Sequence, residues 1–141
     1  MADQDNAKII EPLAKFHAKV YVKGRVRIIS NERDFLGLSD GDIVKLIIRT
    51  LDENKRPVHR AYFEGMLVSG GNVTIPKELI NKLGIKKGDV VEILLIGYQK
   101  LHEIIPEEHY LLLRQYSSGK FKLISADEEK HLLENITLNL Y

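Results

Sequence analysis

Nine residues between Phe16 and Val44 recur unchanged 47 positions later. Phe16, Gly24, Val26, Ile28, Leu36, Gly37, Gly41, Asp42 and Val44 return as Phe63, Gly71, Val73, Ile75, Leu83, Gly84, Gly88, Asp89 and Val91. No gap interrupts the match, and Leu38 with Ile85 and Ile43 with Val90 agree in kind. We read this as an internal duplication. A unit of about 35 residues cannot bury its own apolar face, so two copies in one chain are expected to close on each other around a pseudo-twofold axis.

The second copy is the easier to read. Val73 and Ile75 alternate with Asn72 and Thr74 as in a half-buried strand, and Pro76 is suited to the first turn of a helix, where a missing N–H costs nothing. Leu79, Ile80 and Leu83 share a helical face, Gly84 offers a left-handed cap, and Ile85 is placed to fold back onto that face. Lys87-Gly88-Asp89 then turns the chain into Val90–Leu95, whose β-branched run predicts a buried strand.

The run Gly-Asn-Val-Thr-Ile-Pro-Lys-Glu-Leu, followed by Lys-Leu-Gly-Ile-Lys-Lys-Gly-Asp-Val-Val-Glu-Ile, resembles the AbrB/SpoVT/MazE type of swapped-hairpin domain. The resemblance is specific over residues 63–97 and weaker over 16–50. It implies a small β-barrel in which two copies, usually from two chains, interlock, in a family made up mostly of DNA-binding transcription factors and antitoxins. The turns Gly41-Asp42 and Gly88-Asp89 also resemble those of the wider cradle-loop barrels, which include members that do not bind DNA. One archaeal riboflavin kinase family shares a related barrel, but its substrate-binding sequence is absent here.

The expected fold is therefore mainly β with short helices, a β-barrel of the swapped-hairpin or cradle-loop kind built from the duplication, with a small α/β appendage. Residues 1–14 form a leader, 15–105 the barrel with copies at about 16–50 and 63–97, and 106–141 the appendage. The chain of 141 residues has no cysteine, which excludes disulfides and thiolate chemistry and fits a reducing cytosol. Nothing approaches the ~18 apolar residues of a membrane span, and the first residues lack a signal-peptide pattern. A soluble cytoplasmic protein without a membrane role is expected.

The net charge of +1 conceals an asymmetry, with +4 over residues 1–100 and −3 over 101–141. Neither value argues for nucleic acid globally, so placement must decide. Two strands are predicted between Lys15 and Ile29, meeting in a hairpin at Lys23-Gly24. Phe16, Ala18, Val20 and Val22 would face one way, with Val26 and Ile28 inward across the turn. The outward face would then gather Lys15, Lys19, Lys23, Arg25 and Arg27 around Tyr21 and His17. Five cations occur from Ala14 to Asn31 with no acid, more than an exposed strand needs to discourage edge pairing. Lys15, Lys19, Tyr21, Lys23, Arg25 and Arg27 are accordingly the candidate DNA-binding residues.

In the second copy, Lys19, Tyr21, Arg25 and Arg27 become Met66, Val68, Asn72 and Thr74. Met66 and Val68 are candidate interface residues, to be covered by the tail or another subunit. Elsewhere, Ser30 or Asn31 is expected to cap the first helix, and Asp52–Pro57 to form the tip of a long hairpin. In the appendage we expect a strand at Leu101–Ile105, a helix from Pro106 to Tyr116 and a strand at Lys120–Ile124. A capping box at Ser125–Glu128 then opens a helix bearing Leu132, Leu133 and Ile136, and residues 137–141 alternate like a final strand.

Asp42 and Asp89 each follow a glycine in a turn, where a carboxylate accepts backbone N–H groups, so they read as structural. His17, His59, His102, His109 and His131 show no metal spacing, and no phosphate loop or nucleophile arrangement is present. Neither catalytic residues nor a metal nor a cofactor is expected, and the chain does not read as an enzyme. The leading expectation is a DNA-binding transcriptional regulator contacting DNA through the basic first hairpin. The alternative is a protein-binding or assembly module that uses the same barrel with no nucleic-acid role. In either case a homo-oligomer or protein partner would use the second-copy face or the appendage.

Overall fold

The computed structural model describes residues 12–100 and 121–139. The elements, in order, are β1 (Ala14–Lys19), β2 (Arg25–Arg27), α1 (Ser30–Leu36), β3 (Ile43–Leu51), β4 (Pro57–Met66), β5 (Asn72–Thr74), α2 (Lys77–Leu83), β6 (Val90–Gln99), β7 (Phe121–Ile124) and α3 (Ala126–Asn139). The protein is mainly β with short helices. Five antiparallel strands form one sheet in the order β1-β6-β3-β4-β7, and β2 and β5 form a separate two-stranded ribbon. The ladder is open among the described residues, and the ribbon covers the core where a closed barrel would have its remaining wall.

The alternation along β1 is clean, with Ala14, Phe16 and Ala18 buried and Lys15, His17 and Lys19 exposed. Val20 continues the buried side. The strands β3 and β6 are buried on both faces for much of their length, as their β-branched composition requires. On the inner face Val44, Leu46, Ile48, Phe63, Ile93 and Leu95 meet Val26, Ile28, Val73 and Ile75 of the ribbon in one core. Gly65 permits that approach, because a Cβ there would lie 2.7 Å from Val73 Cγ1. On the outer face Ile47, Leu94 and Ile96 pack against Leu133 of α3.

Hydrogen bonds recur at the 47-residue offset. Val20 N–H donates to Asp89 O and Gly88 N–H to Val20 O, while Leu67 N–H donates to Asp42 O and Gly41 N–H to Leu67 O. Ile28 N–H donates to Gly71 O, and Ile75 N–H to Gly24 O. Val26 pairs with Val73 and Ile47 with Leu94, so an approximate twofold axis passes through both pairs. The helices match as well: Gly37 and Gly84 end α1 and α2 in the left-handed region, at φ 69° and 67°. Asp42 and Asp89 turn their carboxylates back onto Ser39 N–H and Lys86 N–H, at 2.9 and 2.8 Å.

Several expectations are corrected. The two strands either side of Lys23-Gly24 are not a hairpin, since β1 pairs with β6 and β2 with β5. The main chain of Val20 is held by residues 88 and 89, and that of Gly24 and Ile28 by 75 and 71, so each strand is captured by a different element of the other half. Between them residues 22–24 make a single 3₁₀ turn that leaves Val22 exposed. Neither Ser30 nor Asn31 is the cap of α1; Ile29 takes that position with no side-chain bond, and Pro76, its counterpart, stands just before α2 instead of inside it. Residues 137–139 belong to α3 and not to a strand, because nothing after the Ser125 cap breaks the helix. The capping box itself is formed, with Glu128 N–H donating to Ser125 Oγ at 3.1 Å and Ser125 N–H donating to Glu128 Oε1 at 3.2 Å. The strand expected at 101–105 and the helix at 106–116 lie outside the described residues.

Candidate nucleic-acid interface

The ribbon buries its middle pair and turns its flanking residues to one polar face. Three residues per strand suffice to hold it because the middle pair, Val26 and Val73, is fully buried. Burying that pair turns the flanking residues outward. Arg25 stands opposite Thr74 and Arg27 opposite Asn72, so both guanidinium groups share one face with an amide and a hydroxyl. The two arginines are about 6.6 Å apart along the strand, two residues of rise. Asn72 Nδ2 donates to Ser69 O at 2.9 Å, which ties the amide to the adjoining turn.

Tyr21, Val22 and Lys23 lie exposed on the turn leading into the ribbon. Lys23 and Gly24 adopt φ of 64° and 69°, and Gly24 also meets Ile80, whose Cδ1 lies 2.1 Å from where a Cβ would be. That contact anchors the turn to the second half. Lys19 ends β1 beside this turn, exposed and opposite Val90. Among the described residues Lys19, Lys23, Arg25 and Arg27 form no ion pair. Lys15 stands apart. It lies four residues before Lys19, about 13 Å along the strand, with its Nζ 3.9 Å from Glu92 Oε2. Thus four of the six candidates cluster with Tyr21 at one end of the molecule, while Lys15 faces an acid on the sheet.

Val68 is 41% exposed and Met66 half-buried. Val68 N–H donates to Asn72 O in the turn matching that of Tyr21 and Arg25, so Val68 occupies the tip opposite Tyr21. Asn72 and Thr74 were not among the candidate residues; only the register of β5 against β2 puts them beside the arginines.

A second polar cluster lies on the outer face of the sheet. Arg49 Nη1 donates to Glu92 Oε1 at 2.7 Å and its Nε to Glu129 Oε2 at 2.9 Å, with Nη2 also bonded to Glu129 Oε1. Arg60 Nε approaches Glu129 Oε2 at 3.0 Å, and His17 Nε2 lies 3.5 Å from Glu92. The hydrogen bond that Arg49 donates to Glu129 holds its guanidinium above its ordinary pKa against the opposing effect of burial, and Glu92 adds to it. The cluster pins α3 to β3 and β6. Among the described residues it includes no nucleophile, and its carboxylates are satisfied.

Among the described residues no group of three metal-ligating side chains occurs, and no helix is long and apolar enough to cross a membrane. Residues 71–107 match the family model described as "Antidote-toxin recognition MazE, bacterial antitoxin". No curated protein sequence matches the chain. The solution structure of PHS018 from Pyrococcus horikoshii is similar to it at 38% identity and a TM-score of 0.58, over 64% of this chain and 96% of that one. The chain therefore belongs to the same family as the Pyrococcus horikoshii protein PHS018, with a MazE antitoxin-like domain at residues 71–107.

Proposed function

We propose that the protein is a cytoplasmic, non-catalytic DNA-binding regulator of the AbrB-like type, with two tandem copies of the swapped-hairpin unit in one chain. The observation that carries the reading is the β2–β5 ribbon, which presents Arg25 and Arg27 with no acidic partner among the described residues and with Asn72 and Thr74 on the same face. A two-stranded ribbon fits the major groove of B-DNA, where arginine reads guanine and asparagine reads adenine. Lys19 and Lys23, beside the ribbon, contact phosphate and set register, while Tyr21 packs against the backbone. The recurrence of main-chain bonds at the 47-residue offset supports the tandem copies, and the MazE-like match supports regulation at the level of the family.

The test is duplex DNA binding by fluorescence anisotropy across a salt series. For each phosphate neutralised, log K falls with log salt at a slope of ~0.9. Lys23→Ala lowers the slope by about 1 and weakens all sequences alike, whereas Arg25→Ala or Arg27→Ala also relaxes preference at particular base pairs, by ~1–3 kcal/mol for a bidentate contact. A wild-type protein without salt-sensitive binding, or a Lys19/Lys23/Arg25/Arg27 quadruple alanine variant that binds equally well, overturns the reading in favour of a protein-binding module.

A further inference from the structure

The two Gly-Asp turns have the same backbone and opposite surroundings. Gly41 and Gly88 share φ of 94°, and each aspartate accepts the N–H three residues before it. Yet Asp42 is 1% exposed whereas Asp89 lies open. The difference is the chain's own segment Tyr98-Gln99-Lys100. At the first turn β6 runs on, pairing Val44 with Tyr98 and Ile43 with Gln99. Lys100 Nζ then reaches Asp42 Oδ2 at 3.4 Å and lies 3.3 Å from where a Cβ on Gly37 would be.

At the second turn no described residue fills that place. The 47-residue counterparts of Tyr98 and Gln99 are Leu51 and Asp52, where β3 bends away into its hairpin with β4. Pairing of β3 with β6 accordingly ends at Arg49 and Glu92, and Val91 and Val90 continue with β1 on one side and, among the described residues, no strand on the other. The space left is an open groove of about 750 Å³ lined by Leu51, Val58, Gly84, Ile85, Asp89 and Val90, among others. Val90 is 52% exposed on it, and a Cβ on Gly84 or Gly88 would meet nothing within 4 Å. On the rim, Asp52 spends its carboxylate on Asn54 N–H and Arg56 N–H, and Lys55 offsets its charge, so Asp89 sets the sign at the end of the groove.

We propose that this groove is a docking site for an extended segment of a partner protein carrying an apolar or aromatic residue and, two positions later, a lysine. The segment adds as a strand beside Val90 and Val91, its lysine on Asp89, in the manner in which Tyr98-Gln99-Lys100 fills the pseudo-equivalent place. Main-chain bonds to a free strand edge supply affinity, and alternate side chains supply specificity. Apolar contact with Val58, Ile85 and Val90 favours an aliphatic or aromatic anchor, and the open carboxylate favours a cation over a neutral side chain. The groove is separate from the arginine face of the ribbon, so docking there and DNA binding use different residues.

The probe is the acetylated, amidated peptide Ile-Gly-Tyr-Gln-Lys, titrated into the ¹⁵N-labelled full-length chain and followed by amide chemical shifts. Saturable shifts at Gly84, Gly88, Asp89 and Val90 are expected, with the peptide's Lys→Gln version binding about fivefold more weakly, the loss of one partly exposed ion pair. The peptide-side change leaves the protein intact, and Asp89→Asn is its reciprocal, abolishing the difference between the two peptides. No shifts at these amides at millimolar peptide, or equal affinity of the two peptides for the wild-type chain, overturns the proposal. Sedimentation equilibrium closes the remaining route. A self-association abolished by Val90→Glu shows that a second copy of this chain is the occupant and overturns the heterologous partner; a mass unaffected by Val90→Glu, together with the peptide shifts, supports it.

Discussion

Replacing Arg49 with alanine is expected to loosen α3 from the sheet at a cost of about 3 kcal/mol, the lower end of what breaking a buried ion pair costs. The side chains of Arg49, Glu92 and Glu129 are only 13%, 9% and 7% exposed, so removing the guanidinium strands two poorly solvated carboxylates. The lower end applies because neither is left without a cation: Lys15 remains 3.9 Å from Glu92, and Arg60 3.0 Å from Glu129. At roughly 4 °C per kcal/mol for a domain of this size, Tm falls by about 12 °C. Because the Arg49 pKa is raised on folding, its contribution is complete at every pH below the ordinary arginine range and is lost only above it. The deficit should therefore not depend on the titration of Arg49 between neutral pH and pH 10. Urea unfolding measures the cost, and hydrogen exchange locates it, with amides of α3 losing protection before those of β3 and β6. An all-methionine version of Arg49, Glu92 and Glu129 should recover most of the loss, since an apolar substitute leaves no stranded charge. A loss under about 1 kcal/mol in Arg49→Ala, or unchanged protection in α3, would show that the cluster is not what holds the helix.

Gly84→Ala should cost about 1 kcal/mol in urea unfolding, from the left-handed backbone alone because the space beside it is empty, whereas Gly24→Ala should cost clearly more because its Cβ meets Ile80. Glu128 is held below the usual carboxylate range, first by the Ser125 N–H and then by Lys122, so the capping box contributes above the ordinary glutamate pKa and is lost as pH falls through the lowered value. Exchange of the first α3 amides should accelerate over that acid window in wild type and show no such step in Glu128→Gln. Val68→Lys, at an exposed tip, should leave Tm within about 0.5 kcal/mol of stability and abolish any self-association that light scattering detects; an oligomer that survives it removes Val68 from the interface.

Local chemistry was legible wherever a residue's role depends on near neighbours. The buried side of β1, the left-handed Gly84, the carboxylate of Asp89 on its own turn and the Ser125–Glu128 box all follow from spacings of two to four residues. Partner choice was not legible. Alternation in residues 14–20 and 25–28 says which side chains point inward but not that β1 lies against β6 and β2 against β5, so a hairpin was expected where two strands diverge. The same limit applies to the candidate site. Exposure of Lys19, Lys23, Arg25 and Arg27 could be read from alternation and turn chemistry, while the company of Asn72 and Thr74, and the drift of Lys15 toward Glu92, depend on register across the chain. Arg49 carries no local signal of its role, because its partners lie 80 and 43 residues away. Thr137–Asn139 alternates as a strand would, but strand formation also needs a free edge, and helix continuation needs only the absence of a breaker.

The exchange of strands between halves governs the order in which the chain can be assembled. Ala14 finds its partner at Leu95 and Arg27 at Asn72, so neither β1 nor β2 has anything to pair with until most of the polypeptide exists. Among the described residues, only β3 and β4 join neighbours across a short turn in the main sheet. Closing such long loops before any contact compensates for the lost entropy slows folding, toward the millisecond-to-second range of topologies dominated by distant pairings. During synthesis the hairpin of β3 and β4 can form while the ribosome is still producing β6. Of the described strands, the first to emerge is consequently among the last to be seated.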